Sequence, residues 1–339
     1  MVSAVSRVVG ETVPITAYVR RRGHPLRGIV FMALIIFPLL NRRLDAFHRM
    51  LKRILAKVYF ALARRALRMS NAQEGRQKLI RQLTDIVPDL STQYSTWEDV
   101  ERANSFDQEK LRSIHAFQVS LVLQTVLEEI SHSGKENISI GDIGDSAGTH
   151  SRYLEYLLHD AGVELTALSV NIDPTAVEKI QRQGGRAILA KAEDVSQLLK
   201  GDEKIDIFLS FQMLEHLLNP ALFMHDIATK TDTDWFIITV PYVKRSRVGL
   251  KYIREPRFTR KFKAINAENT HIFELSPDDW KMLLRFSGWE TVREDKFLMY
   301  PRGSWLTVFK FALRRYDFEG FLGLILKRNL KDAQVYESW

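Results

Sequence analysis

The 339-residue chain contains no cysteine. That absence excludes disulfide scaffolds, thiolate-bound zinc, iron–sulfur clusters and thiol nucleophiles together, and it fits a reducing compartment. Internal repeats and low-complexity segments are lacking too. With 45% hydrophobic and 27% charged residues, wholesale disorder is excluded and a proper hydrophobic core is within reach. The apolar run at residues 29–40 (IVFMALIIFPLL) is too short for a full membrane span. A helix of about 14 residues rises about 21 Å against a hydrocarbon core of about 30 Å. It reads as a shallow or re-entrant membrane segment, with a buried core helix and a signal peptide as the other readings; no small-residue cleavage site follows it.

What is present is charge, unevenly placed. The net charge of +8 hides three basic segments. Residues 1–70 carry fourteen Lys/Arg against Glu11 and Asp45; residues 243–263 carry nine against Glu255; residues 301–331 carry seven against Asp317 and Glu319. The remainder is acidic, at −17. From Leu44 to Met69 apolar residues recur at three- and four-residue spacing. Arg49, Arg53, Lys57, Arg64 and Arg68 lie opposite, which predicts a basic amphipathic helix. Such a helix beside an apolar segment suits an anionic membrane surface, and its stripe suits docking on the acidic body as well. The expected location is cytoplasmic, peripherally associated with the cytoplasmic membrane face.

The body reads as alternating strands and helices. Residues 75–86 and 109–131 are predicted helical. Apolar runs at 138–143, 165–172, 186–189, 205–211 and 235–240 are predicted strands. This alternation predicts an α/β fold, a doubly wound parallel sheet with helices on both faces. The expected organisation is an N-terminal extension over 1–70, a helical connector and lid over 71–135, the sheet domain over 136–300 with its basic insertion at 243–263, and a helical tail over 301–339.

Ligands of such sheets sit at the carboxyl ends of the strands. The first strand ends in Gly141-Asp142-Ile143-Gly144-Asp145-Ser146-Ala147-Gly148, where Gly144 and Gly148 permit a tight turn close to a ligand. Asp173 ends the second strand, where an acid can accept hydrogen bonds from two ribose hydroxyls.

The order Asp142-x-Gly144-x-Ser146-x-Gly148, Asp173, Ala192-Glu193-Asp194 and Phe211-Gln212-Met213-Leu214-Glu215-His216 resembles a class I S-adenosylmethionine-dependent methyltransferase with a Rossmann-like sheet. It is most similar to the small-molecule group that includes the ubiquinone-biosynthesis O-methyltransferases. The segment Thr270-His271-Ile272-Phe273-Glu274-Leu275-Ser276-Pro277 and Phe286-Ser287-Gly288-Trp289 carry the resemblance further, over about residues 112–300. It implies S-adenosyl-L-methionine as cofactor. Asp142 and the Gly144–Gly148 turn, with Ser146 at the family's middle glycine, would surround the methionine part. Asp173 would hold the ribose. Ala192, Glu193 and Asp194 would edge the adenine, although Lys191 stands where the family commonly has an acid. Phe211 and Gln212 would border the sulfonium.

A methyl acceptor with an oxygen nucleophile benefits from a base. His271 and His216 are the candidates, with His150 less well placed. Glu215-His216 also reads as a cap that orients its helix, His271 as a structural hydrogen-bonding group, and catalysis without a base stays open. Some ubiquinone-type enzymes hold a divalent metal through a further Glu three positions before the Glu-His pair. Gln212 occupies that place here, so no metal is expected. The basic insertion, with Tyr252, Phe258 and Phe262 among its cations, reads as a lid for an anionic acceptor, set against a plain solvated loop. The acceptor is expected to be a small molecule, a lipid-linked or phosphorylated glycan, or another anionic or amphiphilic compound. Nucleic acid is the alternative acceptor, and a non-enzymatic scaffold that binds an acidic partner is the third reading. Oligomeric state is not legible.

Overall fold

The computed structural model describes residues 50–51, 53–90, 105–130, 134–199, 204–249, 270–313 and 318–336. The apolar run at 29–40 and most of the basic insertion lie outside them. The chain divides into two units, Met1–Tyr59 and Phe60–Trp339. In the first, residues 53–59 are helical.

The second opens with helix α1 (residues 60–73), then α2 (Gln77–Ile86) and α3 (Ser105–Gln124), which runs on as a π-helical turn over Thr125–Ile130. The sheet follows: β1 (Asn137–Ile143), α4 (Thr149–His159), β2 (Glu164–Asn171), α5 (Pro174–Arg182), β3 (Arg186–Leu189), a 3-10 turn at Ala192–Asp194, α6 (Val195–Leu198), β4 (Ile207–Phe211), a 3-10 turn at Leu214–His216, α7 (Pro220–Lys230) and β5 (Trp235–Tyr242). A small ribbon of β6 (Arg247–Val248) and β7 (Phe273–Glu274) stands apart. After α8 (Pro277–Phe286) come β8 (Trp289–Phe297) and β9 (Gly320–Arg328).

The seven strands lie in the order β3-β2-β1-β4-β5-β9-β8. The first five are parallel, and β9 runs antiparallel to both of its neighbours. The five predicted strands are all found within one or two residues of their expected ends. Because the order reverses between β1 and β4, the loops leaving those strands diverge and open a crevice at their carboxyl ends.

The C-terminal expectation needs correction. Residues 320–328 are not part of a helical tail; they form a buried strand inside the sheet, between β5 and β8. The run GFLGLILKR has no period to separate helix from strand, and burial on both faces explains its continuous apolarity. Gly323 makes the packing possible: a Cβ there would come within 2.6 Å of Leu121 and 2.7 Å of Phe117, so α3 lies directly on the strand. β8 closes the sheet as a charged edge (WETVREDKF), a composition that discourages further strand pairing.

The N-terminal boundary also shifts, because α1 belongs to the unit that contains the sheet. Ala63, Ala66 and Leu67 are buried, while Arg64 and Arg68 both pair with Glu109 of α3. Two cations expected on a membrane-facing surface are therefore engaged within the protein. Further down α3, the buried Arg112 donates to the carbonyls of Leu83 and Val87 and to the Tyr153 hydroxyl, tying α2 and α4 to it. Among the described residues no helix is long and apolar enough to cross a membrane.

Candidate active site

The β1 loop is shaped by its own acid. Gly144 (φ +92°) and Gly148 (φ +68°) adopt left-handed conformations that other residues rarely take. Between them, Asp145 Oδ1 accepts from the Ala147 and Gly148 backbone N–H groups, at 3.2 and 2.9 Å. Its Oδ2 accepts from the Ser169 hydroxyl at 2.8 Å. Asn171 donates to the Asp145 carbonyl and accepts from the Asp173 N–H, both at 2.8 Å. Sequence reasoning passed over Asp145 and Asn171, although polar residues at the ends of buried parallel strands are a signal of such a role. Asp173, half-buried, caps α5 by accepting from Thr175 N–H. Thus the β1 loop and the Asp173 turn are one hydrogen-bonded unit.

Beneath the loop lies a buried polar chain. Asp142 Oδ2 approaches His150 Nδ1 at 3.5 Å, and neither atom has a hydrogen-bond partner. His150 Nε2 lies 3.1 Å from Gln118 Oε1 of α3, whose amide nitrogen donates to Thr239 of β5. Burial and the neighbouring Asp145 push the Asp142 carboxyl up to about 6, against the opposing pull of His150. For His150, burial works to lower the value, but Asp142 and Asp145 outweigh it and the net direction is upward. With an amide oxygen at one ring nitrogen and a carboxylate at the other, the doubly protonated ring suits this place. The His150 ring meets His115 edge to face at 5.1 Å and Phe211 edge to face at 4.9 Å. Burial, with His150 and Arg112 nearby, drives the His115 value well down.

Gln212, directly after β4, has φ +59° and is the single non-glycine among the described residues with positive φ. Such a conformation costs about 1–2 kcal/mol in an L-residue, and it lies between the end of β4 and the 3-10 turn at Leu214–His216. Ala192, Glu193 and Asp194 form a partly exposed turn after β3. Ile172 presents an apolar side chain at 66% exposure beside Asp173.

A second cluster follows the β4 loop. His216 Nδ1 lies 3.0 Å from the Thr270 carbonyl, and His271 Nδ1 lies 3.1 Å from Glu274 Oε1. The two rings meet edge to face at 5.0 Å. Glu215 is fully buried beside them, its Oε1 3.8 Å from His216 Nε2 and its Oε2 without a partner. Burial pushes the Glu215 carboxyl up to about 7; His271 opposes this and Glu274 adds to it. Glu274 is itself buried, and Arg247 clamps its Oε2 through two N–H groups, Nε at 2.6 Å. His216 sits in a 3-10 turn and does not open a helix. Glu215, read from the sequence as part of a helix cap, makes no side-chain cap bond at its 3-10 turn, and Glu274 and Arg247 are participants that sequence reasoning left unassigned. Donor atoms gather closely enough for a cation in two places among the described residues: Asp142/Asp145/His150 and Glu215/His216/His271.

No protein-family model matches the chain, and no curated protein matches it. Among solved structures, the 1,6-didemethyltoxoflavin-N1-methyltransferase of Burkholderia thailandensis, with bound S-adenosylhomocysteine, is 16% identical. It covers 74% of this chain and 88% of its own, with a TM-score of 0.43. The magnesium protoporphyrin IX methyltransferase of Synechocystis, also with S-adenosylhomocysteine, is 15% identical over 73% of this chain and 100% of its own, with a TM-score of 0.44. An S-adenosylmethionine-dependent methyltransferase of Archaeoglobus fulgidus is 17% identical over 62% and 94%, with a TM-score of 0.37. The chain has a Rossmann-like α/β fold. Its own strand order carries that statement.

Proposed function

We propose that this chain is an S-adenosylmethionine-dependent methyltransferase that O-methylates a small-molecule, lipid-linked or phosphorylated glycan acceptor at a membrane surface. The observation that carries the first part is the built loop system at the carboxyl ends of β1, β2 and β4. It offers two left-handed glycines, a buried Asp142 oxygen without a hydrogen-bond partner, a half-buried Asp173 and a left-handed Gln212 around one crevice. This donor set fits a cofactor with an amino-acid end, a ribose and a sulfonium. There is no need for a pyrophosphate cradle.

On this reading, Asp142 and the 144–148 loop hold the amino-acid end. Asp173 accepts from the ribose hydroxyls, while Ile172 and the 192–194 turn flank the adenine. The sulfonium supplies an activated methyl group, so positioning the acceptor and excluding water carry much of the rate. Phe211 and Gln212 border that point, and the His216/His271 cluster faces the acceptor. In support of a membrane context, Ile54, Leu55 and Val58 of the N-terminal unit are exposed together with Arg53 and Lys57. Calorimetric titration with S-adenosylhomocysteine tests the cofactor assignment. Saturable binding that weakens at least tenfold in Asp173→Ala is expected, and equal affinity in the two proteins would refute the ribose role.

A further inference from the structure

We infer that Glu274, pinned by Arg247, is the positioning residue that makes His271 the general base, and that the acceptor therefore presents a hydroxyl whose proton must leave. This rests on the methyltransferase reading above and chooses between two histidines that the sequence left as candidates.

The ring nitrogens decide the choice. His271 Nδ1 faces a carboxylate oxygen at 3.1 Å, so Nδ1 carries the proton and Nε2 keeps its lone pair. His216 Nδ1 faces the Thr270 carbonyl at 3.0 Å, which fixes the same tautomer. The difference lies in what stands at Nδ1, and at Nε2, where an acceptor would have to reach, His216 already meets Glu215 Oε1 at 3.8 Å. A buried carboxylate stabilises an imidazolium directly, whereas a neutral carbonyl does so only through its dipole. Glu274 cannot turn away from this task, because it is wholly buried and Arg247 grips its other oxygen. The clamp comes from opposite strands of one ribbon, with Arg247 paired to Glu274 in β6–β7 register. His271 stays partly open, its side chain 18% exposed, with Glu215 and His216 on one side and Phe318 on another.

In the step that follows, the acceptor O–H bond breaks and its proton passes to His271 Nε2. The acceptor oxygen forms the new O–C bond, and the C–S electron pair stays on sulfur as a neutral thioether. The positive charge thus moves from the sulfonium to an imidazolium held against Glu274, and no further reactant is needed.

The variant Glu274→Gln separates positioning from packing. Arg247 donates only, so the amide oxygen must turn to Arg247 and the NH2 group to His271. Nδ1 then becomes the acceptor, the proton moves to Nε2, and the base is lost. We would read the tautomer by 15N–1H NMR of the full-length, cofactor-free protein labelled at histidine, and transfer of labelled methyl from the cofactor into a total lipid and metabolite extract. The expected results are an Nδ1–H tautomer in the unaltered protein and an Nε2–H tautomer in Glu274→Gln. Label transfer should fall at least 100-fold in Glu274→Gln and in His271→Gln, with S-adenosylhomocysteine affinity unchanged in both. An Nε2–H tautomer in the unaltered protein would overturn the inference. So would undiminished transfer in His271→Gln, or transfer abolished by a chelator and restored by a divalent cation. Failure of the unaltered protein to bind S-adenosylhomocysteine would instead strike the methyltransferase reading and leave the NMR result to decide Glu274's role.

Discussion

Glu215 sits out of water between two histidines, and its carboxyl, pushed up from 4.5 to about 7 by burial, has a consequence for stability. Below about pH 4.5 both folded and unfolded chains hold the proton, and the group is neutral in the balance. Between 4.5 and 7 the unfolded chain releases it while the folded chain keeps it, so stability falls as pH rises through this window. Above 7 the folded chain carries the full penalty, about 3 kcal/mol from about 1.4 kcal/mol per pKa unit. Glu215→Gln is therefore expected to raise the unfolding midpoint at pH 8.5 and to change it little at pH 5. Equal changes at both pH values, measured by denaturant titration, would remove burial of the charge as the cause. Asp173 has two roles. Asp173→Ala is expected to cost about 1 kcal/mol through the lost α5 cap, whereas Asp173→Asn keeps a capping oxygen and still weakens the cofactor. Chemical denaturation beside calorimetry separates these effects.

At the scale of elements, α3 on β9 is one of the contacts that hold the N-terminal helices to the sheet. Gly323→Ala is expected to cost about 1–3 kcal/mol, because the new methyl group would meet the side-chain ends of Phe117 and Leu121, both fully buried. A denaturation midpoint unchanged within error would contradict that packing. The same pair of elements shows what the sequence could and could not reveal. The five parallel strands were legible, since each is a short apolar run ending in turn residues. β8 was hidden because an edge strand tolerates charge at most positions, and β9 because a buried strand of nine residues has the composition of an apolar helix. In the site, Asp142, Gly144, Gly148 and Asp173 stood out through spacing along the chain. Asp145, Asn171, Glu274 and Arg247 did not, because what distinguishes each is a partner 24 or more residues away, Ser169 and Asn171 for Asp145 and the Arg247–Glu274 pair, that only the folded chain brings close.

For the whole molecule, a net charge of +8 describes little. The body is acidic, and several basic residues outside the first unit are internally engaged: Arg64 and Arg68 on Glu109, Arg247 on Glu274, Arg328 on Asp234. On the membrane reading proposed above, attraction to an anionic surface rests on the basic residues 1–59. Removing them is expected to abolish co-sedimentation with vesicles containing phosphatidylserine, and the intact protein should release as salt rises past about 0.5 M, where screening is short-ranged. Retained vesicle binding after that deletion would place the contact elsewhere. The central claim is that the crevice between β1 and β4 holds S-adenosylmethionine, and hydrogen exchange of the full chain with and without S-adenosylhomocysteine tests it most directly. The account predicts slowed exchange at residues 142–149, 171–175, 192–194 and 210–216, with β8 and β9 unchanged. Binding that leaves those four segments unprotected, or no binding by the folded protein, would contradict it.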